Sequence, residues 1–423
     1  MRIRSAGVAA LALGLAFSAA ACGGSKSEDT PAPAATTSAA LDKGNGKLVI
    51  WADDKRAPVL KSFADQFGTE NGVQVEVKAF AENLQTTFLT ASQKGSGPDI
   101  VVTAHDWIGN FVQNGAIDPL QLTDAQKAAF QPLAMKAVTF GNQTFGAPYA
   151  IENLALIRNT DLVPDAPQTV EDLVAKGQEL KKAGKVKNIL CLQSGDLGDA
   201  YHLYPLFSSA GGSLFGTTPT GDPDPKNVTL GGEESVKAFE KIATLGSKGS
   251  GALTTSIGSD NSIPTFTSKK CAFLVSGPWA LGDVKKAGVK YDISAIPGFQ
   301  GAKPASPFVG VQSFFVAAKG QSKALAQEFV GNYVTNKDVQ LALFKADPRP
   351  EALTAALEES KAADPDLGKF LEAGANGIPM PAIPEMSAIW EPFGKAEASV
   401  IKGADPKTAV EAAAKAVTKA ISK

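Results

Sequence analysis

The stretch KLVIW (residues 47–51), followed by ADDKRAPVLKSFADQFGTENG (52–72) and VQVEV (73–77), carries the change of period that decides the fold. Its first five residues are an apolar run of strand length. Val59, Leu60, Phe63 and Phe67 then recur at helical spacing on one face, and Gly72 supplies a stop. Val73, Val75 and Val77 alternate as a strand does, and residues 99–103 read as another after the turn Gly95-Ser96-Gly97-Pro98. Strands separated by helices imply an α/β sheet with crossover connections.

The alternation restarts after about residue 150, which implies a second α/β lobe. A strand is expected at 152–158 and a helix at 170–183. Later elements read as strands at 189–192, 271–275, 291–295 and 311–317 and a helix at 233–245. From Ala324 onward nearly everything reads as helix, at 352–361, 386–401 and 406–421, punctuated by Pro348, Pro350, Pro365, Pro379, Pro381 and Pro384. At about 150 residues per domain, 423 residues amount to two or three domains.

Composition removes several function classes. Forty-one Lys and Arg against 43 Asp and Glu leave a formal charge of −2, too balanced for phosphate-driven nucleic-acid binding. Two His and three well-separated Cys disfavour zinc-ribbon, iron–sulfur and multi-His metal sites, so no metal or cofactor is expected. Apolar residues at 44% and charged residues at 20% are ordinary for a folded soluble body.

The N-terminus reads as an address. Arg2 and Arg4 precede an apolar run over residues 6–21, shaped like the core of a signal peptide (1–21) and too short for a bilayer span of about 20 residues. The run ends in Ala19-Ala20-Ala21-Cys22, which resembles a bacterial lipobox in which the Cys22 thiol is acylated, although Ala19 replaces the usual Leu. Ordinary cleavage after an A-x-A site is the alternative. Residues 22–46, rich in Ser, Thr, Ala, Pro and Gly, read as a lipidated N-terminus and tether with a reach of roughly 25–30 Å. Export permits a bond between the two remaining thiols, Cys191 and Cys271, each at or near the end of an expected strand; two buried free thiols are the alternative.

Catalytic motifs are weak. Gly95-Ser96-Gly97 lacks both the GK[ST] of a phosphate loop and a third Rossmann Gly, and residues 194–198 lack a Gly-x-Ser-x-Gly elbow. Carboxylates beside aromatic residues are the better lead, at Trp51-Ala52-Asp53-Asp54-Lys55, at His105-Asp106-Trp107 and at Glu152 near Tyr149. Carboxylates accept pairs of sugar hydroxyls, while aromatic rings cover the apolar C–H faces of a pyranose. Each residue also has a plainer role open to it: Trp51 as core, Asp106 as a helix cap, Asp54 in a surface ion pair.

Several segments, in order, resemble the maltose and maltodextrin-binding proteins of bacterial ABC importers. They are Gly46-Lys47-Leu48-Val49-Ile50-Trp51, Gly97-Pro98-Asp99-Ile100, Ala104-His105-Asp106, Ala150-Ile151-Glu152-Asn153-Leu154, Ser276-Gly277-Pro278-Trp279-Ala280, Pro307-Phe308-Val309-Gly310-Val311 and Pro384-Glu385-Met386-Ser387-Ala388-Ile389-Trp390. The resemblance implies a two-lobed α/β fold of the periplasmic-binding-protein type with a sugar cleft between lobes. Hinge crossovers would lie near 150–152, 308–312 and 345–350. One lobe would comprise 47–150 plus 312–346, the other 151–311 plus 347–423. Carried over residue by residue, the sugar ligands are Asp54, Lys55, Asp106, Glu152, Tyr201, Trp279 and Trp390, with Met380 lining the cleft. The pattern breaks at Gln85, Thr103, Trp107, Glu391 and Gly394, where the family has Glu, Trp, Arg, Tyr and Arg, so sugar contacts would differ at one end.

The expected function is capture of a malto-oligosaccharide or related α-glucoside by a monomeric, membrane-anchored extracytoplasmic lipoprotein, and its delivery to permease subunits without chemistry. Rival readings are a binding protein for another oligosaccharide, a sugar-sensing surface protein, and a secreted glycosidase or lyase using Asp106 and Glu152 as acid and base. The last would place the two carboxyls about 5–5.5 Å apart if retaining and about 6.5–9.5 Å apart if inverting.

Overall fold

The computed structural model describes residues 46–54, 56–219 and 221–422; the signal segment, Cys22, the tether up to residue 45 and Lys55 lie outside the described residues. Strands β1 (Lys47–Asp53), β2 (Gln74–Phe80) and β3 (Ile100–Ala104) come first. The helix Arg56–Asn71 joins β1 to β2, and Gly72 ends it at φ 63°, a backbone that costs glycine no Cβ clash. A hairpin of β4 (Thr139–Phe140) and β5 (Gln143–Thr144) precedes β6 (Gly146–Asn153) and β7 (Ala155–Asn159). Next are β8 (Asn188–Leu192) and a second hairpin, β9 (Phe215–Thr217) with β10 (Pro223–Val228). Strands β11 (Cys271–Ser276), β12 (Tyr291–Ser294), β13 (Phe308–Val316) and β14 (Ile378–Pro379) complete the series.

Two larger sheets result. The first has the order β14-β13-β3-β1-β2, with β6 also on β13. Within it β1 runs parallel to β2 and β3, and β13 antiparallel to β3 and β6. The second has the order β12-β7-β11-β8, with β11 parallel to β8 and β7 antiparallel to both its neighbours.

Most strands of the two sheets are covered on both faces and read as nearly continuous apolar runs, while the edge strand β2 keeps a polar–apolar alternation with Gln74, Glu76 and Lys78 exposed. Leu48, Ile50 and Ala52 of β1 enter one core and Trp51 the opposite one. In β7, Leu156 packs with Phe273 and Val275 on one face, and Ile157 with Leu274 on the other. Cys191 of β8 and Cys271 of β11 lie on that second face, joined by a disulfide with Cα atoms 5.9 Å apart.

The structure departs from the sequence pattern at three places. Residues 152–158 are not one strand: β6 ends at Asn153 in the first sheet, and β7 begins at Ala155 in the second. Both strands are buried throughout, so no polar residue in a solvent-facing register marks the break. Asn153 holds it instead, its amide donating to the carbonyls of Phe370 at 3.0 Å and Leu154 at 3.1 Å. Strand β13 begins at Phe308, three residues earlier than the 311–317 pattern. The expected helix 386–401 is divided into a 3-10 segment, Pro384–Ala388, and a helix, Trp390–Ile401.

Candidate functional site

His105, Asp106 and Trp107 form one 3-10 turn at the end of β3. His105 is fully buried; its Nδ1 accepts the Val311 N–H at 3.1 Å and its Nε2 donates to the Met380 carbonyl at 3.0 Å. Those roles fix a neutral ring protonated on Nε2. Burial pushes the imidazole down to about 4, so it stays neutral at physiological pH. The ring thereby ties the turn to β13 and to Met380, itself buried.

This joint holds Asp106, which is 6% exposed, in a dry setting. Burial pushes its carboxyl up to about 7, against its own backbone N–H and the Trp390 side chain, which hydrogen-bond it. Its Oδ1 has no hydrogen-bond partner among the described residues. Trp390 opens its helix with its ring 5.9 Å from that of Phe308, edge to face. Phe308 in turn stacks on Tyr204 at 3.6 Å and lies near-parallel to Tyr201 at 6.5 Å. The Tyr201 hydroxyl is buried without a hydrogen-bond partner among the described residues, and burial, with the nearby Asp199 and Asp106 carboxylates, pushes it above the usual phenol range.

Tyr201 is fixed by the turn before it. Asp199 caps the helix Ala200–Ser209 by accepting the His202 N–H at 3.0 Å, while its own N–H donates to the Glu397 carboxylate at 2.7 Å. Glu397 sits fully buried on the Trp390 helix, and burial followed by Asp199 holds its carboxyl well above the usual range. Gly198, at φ 78°, lies so close to that helix that a Cβ would fall 1.6 Å from the Gly394 carbonyl oxygen. Lys402 clamps the same turn through Asp196 at 2.8 Å. Gly394 thus has a local reason: a Cβ there would meet the Leu197 carbonyl at 3.0 Å.

A second group adjoins the ends of β6 and β13. Glu152, 7% exposed, accepts the Gln312 amide at 2.7 Å and is ion-paired with Arg349, whose Nε also donates to Asp347 at 2.7 Å. The Arg349 guanidinium lies over the Trp279 ring, 5.3 Å from its centroid. Burial, followed by the neighbouring Arg56 charge, lowers the guanidinium to about 10, so it remains a cation at neutral pH. Asp54 is exposed in the turn after β1, and Trp51 packs into the core 4.6 Å from Phe80. Trp107 also faces the first-sheet core, edge-on to Phe111 at 5.8 Å.

A surface cavity of about 420 Å³, lined in part by Pro167, Thr169, Ile296 and Phe299, contains none of these residues. Among the described residues no group of three or more His, Cys, Asp or Glu is placed to hold a metal ion, and no helix is long and apolar enough to cross a membrane.

The sequence profile of bacterial extracellular solute-binding proteins matches residues 62–369. The chain belongs to this family. Its relatives include a galactooligosaccharide-binding protein of Bacillus subtilis (strain 168), 27% identical over 96% of this chain and 94% of the relative. A maltooligosaccharide ABC transporter solute-binding lipoprotein of Streptococcus pneumoniae is 27% identical over 92% and 90%, respectively. A maltotriose-binding protein of Pyrococcus abyssi is 27% identical over 86% and 79%.

In this solute-binding protein six of the sequence-derived candidates fall into the two groups described: Asp106, Tyr201, Met380 and Trp390 around His105 and Phe308, and Glu152 with Trp279 around Arg349; Asp54 is in neither group, exposed in the turn after β1, and Lys55 lies outside the described residues. Sequence reasoning gave no ligand role to Phe308, Gln312, Arg349 or Glu397. Phe308 and Gln312 bounded one expected hinge crossover, Arg349 lay in another, and Glu397 read as one more helix residue. Arg349 left one trace, a cation held in extended backbone between Pro348 and Pro350.

Proposed function

We propose that this solute-binding protein captures an oligosaccharide of the malto-oligosaccharide type outside the cytoplasmic membrane and hands it unchanged to the permease of an ABC importer. The observation that carries this is a pair of orphaned polar atoms, Asp106 Oδ1 and the Tyr201 hydroxyl, buried beside Trp390 and Phe308. Buried polar groups without partners are rare in folded proteins, and sugar hydroxyls would satisfy both while the rings cover C–H faces. Relatives named for maltooligosaccharides and maltotriose, aligned over most of the chain, support the ligand class.

The Bacillus subtilis relative favours a second ligand, a galacto-oligosaccharide, at the same identity. An acid–base pair of Asp106 and Glu152 would need Glu152 released from Arg349, which argues for capture rather than hydrolysis. The lobes of this reading are 47–150 plus 312–346 and 151–311 plus 347–423, closing on the sugar as ligand contacts favour the closed arrangement. Cys22 carries the anchoring lipid, dual acylation supplying the two signals a stable anchor needs. Intact mass of the native protein should then show acyl mass on a chain starting at Cys22; a different or unmodified start contradicts the anchor.

Tryptophan fluorescence titration with maltotriose and a galactotriose tests the site. Wild type should saturate with one of them, and Asp106→Ala, folded by thermal melting, should bind it roughly ten- to a hundredfold more weakly. Unchanged affinity in that variant removes Asp106 from the site.

A further inference from the structure

We propose that Gln312 and Arg349 form a further sugar-contacting subsite, reading two neighbouring hydroxyls of one ring on either side of Glu152. The proposal rests on the oligosaccharide reading above. Gln312 is 3% exposed; its Nε2 is committed to Glu152 Oε1, and its Oε1 is buried without a partner among the described residues. The amide cannot turn over to satisfy that oxygen without losing the Glu152 bond and setting two acceptors against each other. Arg349 is 8% exposed, with Nη1 given to Glu152 and Nε to Asp347, while Nη2 makes no hydrogen bond to the described residues.

One carboxylate therefore has an orphaned acceptor on one flank and an unused charged donor on the other. A vicinal diol supplies what both lack: one hydroxyl donates to Gln312 Oε1, and its neighbour accepts from Arg349 Nη2. The guanidinium is already restrained by Glu152, by Asp347 and by the Trp279 face, so little side-chain freedom remains to be lost on binding. A neutral sugar ring with adjacent free hydroxyls fits; an amino sugar would set its cation against Arg349.

The competing role for Arg349 is purely structural, neutralising Glu152. Calorimetric titration of the purified full chain with maltotriose and with a galactotriose separates the two, using wild type, Gln312→Ala, Arg349→Met, Glu152→Gln and the double variant Glu152→Gln/Arg349→Met. For the sugar that wild type binds, Gln312→Ala and Arg349→Met should each weaken binding about tenfold or more. Arg349→Met should cost a similar factor again in the Glu152→Gln background, where the Glu152 charge is gone. Should Arg349→Met fail to fold, Gln312→Ala and the double variant, in which the Glu152 carboxylate is not left buried and unpaired, carry the same comparison. Wild-type affinity in Gln312→Ala and Arg349→Met, tighter binding by Arg349→Met, or loss of its effect beside Glu152→Gln would each overturn the subsite while leaving the sugar reading standing. Absence of binding to both sugars by wild type would overturn the sugar reading and the subsite with it.

Discussion

Asp106 and His105 are sequence neighbours with opposite pH signatures. Folded Asp106 titrates near 7 against an ordinary value of 3.8, so between those values the folded chain holds a proton that the unfolded chain has lost. Its contribution to stability is present below 3.8 and lost as pH rises through about 7. His105 titrates near 4 against 6.5; its contribution is present above 6.5 and lost as pH falls toward 4. Asp106→Asn should therefore raise the melting temperature by on the order of a few degrees at pH 8, a gain that shrinks as pH falls toward 4. Because a hydroxyl donating to Asp106 favours the ionised form, wild-type sugar affinity should weaken from pH 8 to pH 5, and Asp106→Asn should flatten that profile. A pH-independent wild-type affinity would show that Asp106 does not meet the ligand.

Between elements, the strongest expectations concern the β8–β11 bond and the turn before Tyr201. The disulfide spans 80 residues, and replacing both Cys191 and Cys271 with Ala should cost about 2–5 kcal/mol in denaturant unfolding. Gly198→Ala adds a Cβ at positive φ into the Gly394 carbonyl, so it should weaken both stability and sugar binding. The control Gly184→Ala, also at positive φ but in open space, should leave affinity unchanged. Equal affinity in both variants would separate that turn from the site. Element types were largely legible because period and punctuation are local: Val170–Lys182 and Pro406–Ile421 match their patterns nearly residue for residue. The β6–β7 break was not, since it depends on which sheet accepts each half. Asp106 could be picked out at an element end beside an aromatic residue, and Trp390 through the family resemblance; Gln312 and Arg349 acquire meaning only when chain 160 to 197 residues beyond Glu152 returns to it.

At the scale of the molecule, two sheets with separate cores are linked by chain that passes from β6 to β7 and back from β12 to β13. The Glu152 group sits at these passages, and the Asp106 group joins the β3 end to the helix of Trp390. Ligand held by both would resist their separation, so scattering in solution should show a smaller radius of gyration with the bound sugar than without. The most direct test of capture without chemistry is calorimetric titration of the purified protein with malto- and galacto-oligosaccharides, the sugar being recovered afterwards and sized by chromatography. Saturable binding to at least one series with every chain recovered at full length is the predicted result; heat from none of them, or shortened chains on recovery, would contradict it.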